Sequence, residues 1–121
     1  MTRIYGIPNC STVKNARAWL AEHNIAAEFT DFKKQAPAAE LLQSWLAQVP
    51  LATLINRKGT TWRQLDPQQQ AQADNPGDAI ALMAAQPSLI KRPVLVYQNQ
   101  VHVGFNAAQY AAIFNLPSTA A

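Results

Sequence analysis

The order of secondary-structure patterns at the start of the chain is the strongest constraint on its fold. Residues 2–7 read TRIYGI, a short apolar run that is typical of a buried strand and ends at a Pro-Asn pair. From Ser11 the apolar residues recur with the helical period. Residues 26–32, AAEFTDF, then predict a second strand. A strand, a helix and a strand in this order predict a parallel βαβ unit.

The middle of the chain, about residues 37–88, predicts several helices. Pro37 suits the first turn of a helix whose apolar residues are spaced along one side. Asp66, followed by a proline, predicts the N-cap of a short polar helix, and residues 75–86 predict a further one. The stretch between the first two of these helices has no clear pattern beyond a short initial helix and a turn.

Near the end of the chain, the spacing of apolar residues changes from the helical period to the alternation of a strand. Residues 92–105 read RPVLVYQNQVHVGF, in which alternating valines predict two strands joined by a tight turn. Asn106 is the predicted N-cap of a final helix, and residues 116–121 are predicted to be loose. The whole order predicts an α/β chain with a thioredoxin-like (glutaredoxin-like) mixed sheet and an inserted helical subdomain. We expect residues 1–121 to form one domain, with the insertion at about 37–88.

Composition narrows the classes of function. Among 121 residues, 49% are hydrophobic and 14% are charged, which is typical of a folded chain rather than a disordered one. The net charge of +3 comes without a dense basic run, so direct nucleic-acid binding is not expected. The sequence has no apolar run long enough to span a bilayer and no apolar signal-peptide core. We therefore expect a cytoplasmic protein that does not bind membranes.

The single cysteine, Cys10, is the leading candidate for chemistry. It lies between the first strand and the first helix, where unpaired backbone N–H groups and the helix dipole favour a thiolate and lower the thiol pKa. Ser11 and Thr12 add hydroxyl donors, and Lys14 adds a cation, so the same segment predicts an anion site. The alternative is a small buried cysteine with a structural role. One cysteine excludes an internal disulfide and argues against a cysteine-rich metal site.

Three segments carry a resemblance to a known family. They are YGIPNCSTVKNARAWL around Cys10, then LINRKGTTWRQL, then LIKRPVLV with VGF after it. In this combination the chain resembles the arsenate reductase-related (ArsC/Spx) family over about residues 3–115. That family includes glutaredoxin-dependent arsenate reductases, Spx-type transcriptional regulators and a YffB-type branch, which these segments resemble most. Its members share a thioredoxin-like fold with a helical insertion.

The resemblance implies roles for particular residues. Cys10 falls on the cysteine that attacks the oxyanion in the reductases, and Arg57 and Arg92 fall on two of the arginines that hold the anion. Lys14 falls on a basic position of the first helix. Pro93 falls on the cis-proline that faces the active cysteine in thioredoxin-like folds. Guanidinium groups also suit carboxylates such as those of glutathione.

Two positions depart from the family pattern. The third arginine of the arsenate site would fall near Phe105, in VGFNA, which argues against arsenate reduction. The second cysteine of the regulators' Cys-x-x-Cys switch would fall at Val13, so an internal dithiol switch is absent.

These inferences predict a glutathione-dependent thiol/disulfide reductase with one nucleophilic cysteine. Glutathione would be a co-substrate and not a bound cofactor, glutathione or a glutaredoxin would resolve the adduct, and no metal is expected. The substrate would be a small anion or a disulfide. The alternatives are a glutaredoxin-coupled arsenate reductase and, from a different class, a non-catalytic Spx-like regulator. Only the regulator would have RNA polymerase as a partner.

Overall fold

A mixed sheet of four strands forms the centre of the computed structural model, which describes residues 2–116. The strands are β1 (Thr2–Gly6), β2 (Ala27–Asp31), β3 (Val94–Tyr97) and β4 (Gln100–Val103). Their order is β2-β1-β3-β4, in which β2 is parallel to β1, while β3 is antiparallel to both β1 and β4. The predicted fold class is confirmed: a parallel βαβ pair is extended by a late hairpin.

Helices connect and cover these strands. They are α1 (Ser11–Glu22), α2 (Ala39–Leu46), α3 (Leu51–Leu54), α4 (Thr60–Gln64), α5 (Pro67–Gln72), α6 (Pro76–Ala85) and α7 (Ala107–Ile113), with a 3-10 turn at Pro87–Leu89. Helices α2 to α6 lie between β2 and β3 in sequence, where the helical insertion was predicted. No helix in residues 2–116 is long and apolar enough to cross a membrane. Residues 117–121 of the predicted tail lie outside the described range.

Local capping explains where several helices begin. Asp66 forms a capping box with Gln69: the Asp66 carboxylate accepts the Gln69 N–H at 2.7 Å, and the Gln69 side chain accepts the Asp66 N–H at 3.1 Å. The side chains of Asn75 and Asn106 cap α6 and α7. The predicted caps at Asp66 and Asn106 are thus confirmed. Short polar side chains favour these positions because they satisfy N–H groups that have no intrahelical partner.

The start of α2 differs from the prediction. Pro37 was expected in its first turn, but Ala38 has an extended backbone (φ −70°, ψ 155°) and the helix begins at Ala39. Pro37 is buried instead. A proline fits the irregular approach to a helix as readily as its first turn, so the two positions cannot be distinguished by residue type.

The sheet has a separate hydrophobic core on each side. On one side Ile4 and Leu95 pack with residues of α1 and α7, including Leu20 and Tyr110. On the other side the sheet residues Tyr5, Val94 and Val101 pack with helices of the insertion. The main insertion residues in this second core are Leu42, Trp45, Leu54, Leu82 and Met83. The insertion therefore shares its core with the sheet, which holds its loops over the carboxyl ends of β1 and β2.

Close packing of α1 on β1 makes Gly6 hard to replace. A Cβ at Gly6 would lie 2.8 Å from Cγ2 of Val13, a β-branched side chain that is fully buried. We expect Gly6→Ala to lower the free energy of unfolding by about 1–3 kcal/mol, because neither group has room to move. Urea denaturation measures this loss. In a Val13→Ala background the same substitution should cost less, and an equal cost in both backgrounds would contradict the contact.

Candidate active site

Cys10 lies at the junction of β1 and α1 and is the N-cap of that helix. Its backbone is extended (φ −89°, ψ 127°), and its carbonyl accepts the Lys14 N–H at 2.9 Å, which starts the helical hydrogen bonds. Its own N–H donates to the Ile7 carbonyl at 3.3 Å. The side chain is partly exposed and belongs to neither hydrophobic core. The thiol is therefore held at the start of a 12-residue helix and is accessible from solvent.

The surroundings of Cys10 favour the thiolate. Partial burial alone raises the pKa of the Cys10 thiol, and it is the largest single influence. The backbone N–H groups of Val13 and Thr12 and the Arg92 guanidinium together outweigh it, so the pKa of Cys10 lies below its ordinary value. The Cys10 side chain does not form an N-cap hydrogen bond with these N–H groups, so they stabilise the thiolate mainly as dipoles that point towards it.

Arg92 is the cation that faces the thiol. One guanidinium nitrogen, Nη1, donates to the Ser88 carbonyl at 3.1 Å. Its Nε is buried without a hydrogen-bond partner among the described residues. An arginine carries five N–H donors, so this anchoring leaves other donors for a thiolate or a bound anion. Arg92 therefore interacts with the thiol, and its role in binding an anion stays a prediction.

Pro93 follows Arg92 through a cis peptide bond, as the resemblance implied. The proline is fully buried, and its carbonyl accepts the Gly104 N–H at 2.9 Å. Its place directly before β3 brings Arg92 to the carboxyl end of β1, because β3 runs antiparallel to β1.

A polar cleft of about 230 Å³ lies next to residues that interact with Cys10. Two of its lining residues, Ile7 and Arg92, also interact with Cys10. The rest of the lining comes from the insertion and from the loop after β2. These other residues are Lys33, Asn56, Gly59, Thr60, Thr61, Trp62 and Ser88. We call this space the thiol cleft; it offers hydroxyl, amide and cationic groups to a small ligand.

Lys33 is a lining residue that the sequence interpretation missed. It lies two residues after β2, and Cys10 lies four residues after β1. Because β1 and β2 are parallel, their carboxyl ends meet at one edge of the sheet, where ligands commonly bind in α/β folds. The predicted βαβ unit therefore contained the signal for Lys33. Thr60 and Thr61 lie in the segment LINRKGTTWRQL, which carried the family resemblance, but that segment had no clear secondary-structure pattern from which to place their side chains.

Arg57 does not reach the thiol directly. Its guanidinium carbon lies 5.1 Å from the centre of the Trp62 ring, and its Nη2 is 3.4 Å from Oδ1 of Asp74. Both partners of that ion pair are largely exposed, so it adds little stability. Arg57 is linked to the thiol cleft through Trp62, which contacts its guanidinium and is one of the residues that line the cleft. Its predicted role in anion binding stays a prediction.

The other predicted site residues surround the start of α1. The side chains of Ser11 and Lys14 are exposed, and Thr12 is half-buried. Thr12 acts on the thiol through its backbone N–H. A direct ligand role for these three side chains stays a prediction. Within residues 2–116 no group of three or more His, Cys, Asp or Glu side chains is placed to hold a metal ion.

The lowered pKa of Cys10 has a consequence for stability. A thiol whose pKa is lower in the folded state stabilises the fold above its unfolded-state pKa of roughly 8.5, and this stabilisation is lost as the pH falls through the folded pKa. We expect the unfolding free energy of the wild type, relative to Cys10→Ser, to increase between the lowered pKa and roughly pH 8.5. Urea denaturation of both proteins from acidic to mildly alkaline pH measures this. A difference that decreases with rising pH would contradict the lowered pKa.

Similarity to known proteins covers the segments that build this site. A sequence model described as the ArsC family matches residues 5–113, which include Cys10, Arg92 and Pro93. The chain belongs to the ArsC family. This confirms the resemblance inferred from the three sequence segments.

Three relatives show the range of the ArsC family. The solved structure of the protein YffB is 46% identical, covers 93% of this chain and 97% of its own, and has a TM-score of 0.87. An arsenate reductase (ArsC) related protein from Brucella melitensis is also 46% identical, with 95% of each chain covered and a TM-score of 0.72. The global transcriptional regulator Spx of Streptococcus pyogenes is 26% identical over 95% of this chain and 86% of its own. The family thus includes reductase-related proteins and regulators.

Membership in the ArsC family supports a redox enzyme in general terms, and the structure explains the two departures from the family pattern. Phe105 packs edge-on against Tyr110, with ring centres 4.6 Å apart, so the position nearest to the missing third arginine belongs to an aromatic cluster. Val13, at the position of a second cysteine, is buried against Gly6. Both positions have packing roles in this chain.

Proposed function

We propose that the protein is a glutathione-dependent thiol–disulfide reductase in which Cys10 is the only nucleophile. The observation that carries this proposal is the placement of the Cys10 thiol, partly exposed at the start of α1, beside the guanidinium of Arg92, a residue that also lines the thiol cleft. A thiolate stabilised in this way attacks disulfides at neutral pH. Glutathione acts as a co-substrate, with no bound cofactor, and a glutaredoxin can replace it in the last step.

The first step is attack of the Cys10 thiolate on a mixed disulfide between glutathione and the substrate. A new S–S bond joins Cys10 to the glutathione sulfur, and the old S–S bond breaks. The substrate leaves as a thiolate with the bonding electron pair and takes a proton from water. The substrate sulfur is reduced, and Cys10 is now oxidised to a mixed disulfide.

The second step releases Cys10. The thiolate of a second glutathione attacks the glutathione sulfur of the adduct, oxidised glutathione forms, and Cys10 leaves as a thiolate. Over the two steps, the mixed disulfide and one reduced glutathione become the free substrate thiol and oxidised glutathione, so the second glutathione is the reductant. The resolving thiol must come from outside the chain because Cys10 is its only cysteine. The N–H groups and Arg92 that lower the pKa of Cys10 also make it a better leaving group.

Arg92 is the residue best placed to hold the anionic partner. Its guanidinium lines the thiol cleft and faces the sulfur, so one cation can contact both the thiolate and a carboxylate of glutathione. In the same proposal Ser11, Thr12 and Lys14 contact the ligand from the start of α1, and Arg57 contributes from behind Trp62.

Mass spectrometry of the protein after treatment with oxidised glutathione tests the proposal. We expect one glutathione adduct on Cys10, removal of that adduct by reduced glutathione, and multiple turnovers with a glutathione mixed disulfide. A Cys10 thiol that forms no adduct, or an adduct that reduced glutathione does not remove, would overturn the proposal.

A glutaredoxin-coupled arsenate reductase is the nearest alternative, since the relative from Brucella melitensis is described as arsenate reductase related. Arg92 beside a low-pKa thiol also suits an oxyanion, while Phe105 at the predicted third-arginine position argues against it. Turnover of millimolar arsenate in the presence of glutathione and glutaredoxin would favour this alternative, and its absence would remove it.

A non-catalytic regulator is the alternative from another class, and the likeness to Spx supports it. The resemblance implies binding to RNA polymerase, without an internal dithiol switch because Val13 replaces the second cysteine. Copurification with the polymerase alpha subunit, combined with no glutathione chemistry at Cys10, would favour the regulator.

A further inference from the structure

The thiol cleft continues into a second compartment of about 500 Å³. The two spaces share three lining residues, Ile7, Lys33 and Ser88. Phe32 and Pro87 contribute apolar surface to the second compartment, together with alanines at the end of α6. A ligand bound to Cys10 through its sulfur therefore has room to extend past Lys33 over a mainly apolar surface.

Lys33 stands where the two compartments meet. Its backbone N–H donates to the Asp31 carboxylate at 2.9 Å, but no carboxylate among residues 2–116 forms an ion pair with its ammonium group. The side chain is exposed. The described lining of the two compartments includes cations and no Asp or Glu. The joined space is therefore electropositive and favours anionic ligands.

The positive charge of the joined space lies in two places: Arg92 is in the thiol cleft, Lys34 is in the second compartment, and Lys33 lines both. The Arg92 guanidinium faces the Cys10 thiol, whereas Lys33 is shared with the second compartment. A single small anion beside the sulfur would use Arg92 only. A ligand that uses both Arg92 and Lys33 needs an anionic group away from its sulfur, as a peptide thiol with carboxylates at its ends has.

We propose that Lys33 is a specificity-determining residue that binds a carboxylate remote from the reacting sulfur. It would thereby select carboxylated peptide thiols and their disulfides over uncharged ones. This inference rests on the proposed function, and it names the substrate class and the residue that recognises it. An exposed lysine of this kind contributes modestly, about a fivefold preference.

The test compares two disulfides, oxidised glutathione and the uncharged hydroxyethyl disulfide. Mass spectrometry gives the rate constant for adduct formation on Cys10 with each, and their ratio measures selectivity. We expect Lys33→Ala to lower this ratio about fivefold and Lys33→Arg to preserve most of it. Lys91→Ala removes the same charge from an exposed lysine that lines neither compartment, and it is expected to lower the ratio less than Lys33→Ala. Equal effects of Lys33→Ala and Lys91→Ala, or an unchanged ratio in Lys33→Ala, would overturn the inference.

A binding measurement separates this inference from the proposed function. S-methylglutathione cannot exchange disulfides, so its affinity for Cys10→Ser, measured by NMR titration, reports recognition alone. Affinity that depends on Lys33, in a protein whose Cys10 reacts with neither disulfide, would support Lys33 recognition and overturn the reductase. Reaction of Cys10 with both disulfides, with an affinity that does not depend on Lys33, would support the reductase and overturn the role of Lys33.

Discussion

Cys10→Ser is expected to reduce glutathione-dependent turnover by about 10³-fold or more while the protein stays folded. The activity is lost because a serine hydroxyl is not ionised at neutral pH and does not exchange with disulfides. The fold is retained because the Cys10 side chain is partly exposed and belongs to neither core. Serine is also among the preferred residues at an N-cap, which is the position that Cys10 occupies.

Turnover with a glutathione mixed disulfide and thermal unfolding of the same preparation check both parts of this prediction. Cys10→Ala is the companion variant, since it removes the sulfur without adding a hydroxyl. Loss of cooperative unfolding in both variants would support the structural role for Cys10. Activity within a few-fold of the wild type would exclude Cys10 as the nucleophile.

Arg92→Gln should have the second-largest effect, about a tenfold lower rate of Cys10 alkylation by the neutral reagent iodoacetamide at pH 7. The guanidinium lowers the pKa of Cys10 as a hydrogen-bond donor and as a charge, so its removal raises the pKa and decreases the thiolate fraction. The pH–rate profile should move to higher pH, and the rates should converge once the thiol is fully ionised. Arg92→Lys keeps the positive charge but loses the planar guanidinium group, so its alkylation rate should lie between those of the wild type and Arg92→Gln.

Arg57→Gln is the matched control because it removes the same charge from an arginine that contacts Trp62, another lining residue of the thiol cleft. Arg57 contacts Trp62 and Asp74, so its loss should leave the midpoint of the pH–rate profile near that of the wild type. Equal displacement of the profile by Arg57→Gln and Arg92→Gln would show that net charge, and not contact with Arg92, sets the reactivity of Cys10. Thermal unfolding of both variants should also be measured, because Arg92 donates a hydrogen bond to the Ser88 carbonyl and its loss can lower the stability of the fold.

Features encoded over short stretches of the chain could be predicted from the sequence. Cys10 at the start of α1, the cap at Asp66 and the turn of the β3–β4 hairpin depend on neighbours within a few residues. The position of Arg92 beside the thiol and the cis bond before Pro93 were inferred only from the family resemblance. An Arg-Pro pair by itself predicts neither an anion site nor a cis bond. The start of α2 was placed two residues too early because proline suits both positions.

Contacts made over long sequence distances needed the folded chain. Lys33 and Arg92 line one cleft, and Arg92 also interacts with Cys10, because the carboxyl ends of parallel β1 and β2 lie side by side and antiparallel β3 begins beside them. Arg57 falls on an anion-binding arginine of the family in the sequence, but in the fold its guanidinium contacts Trp62 and Asp74.

The sequence by itself determined the order of the elements and the one atom that can carry the chemistry. Residue periodicity and local capping act between neighbours, and a single cysteine leaves a single thiol. Only the tertiary structure decided which cation interacts with that thiol and which cations line the neighbouring cleft. Strand pairing and the shared core of the insertion place groups far apart in sequence within contact distance, and these distances govern the pKa of Cys10 and the charge that a ligand meets.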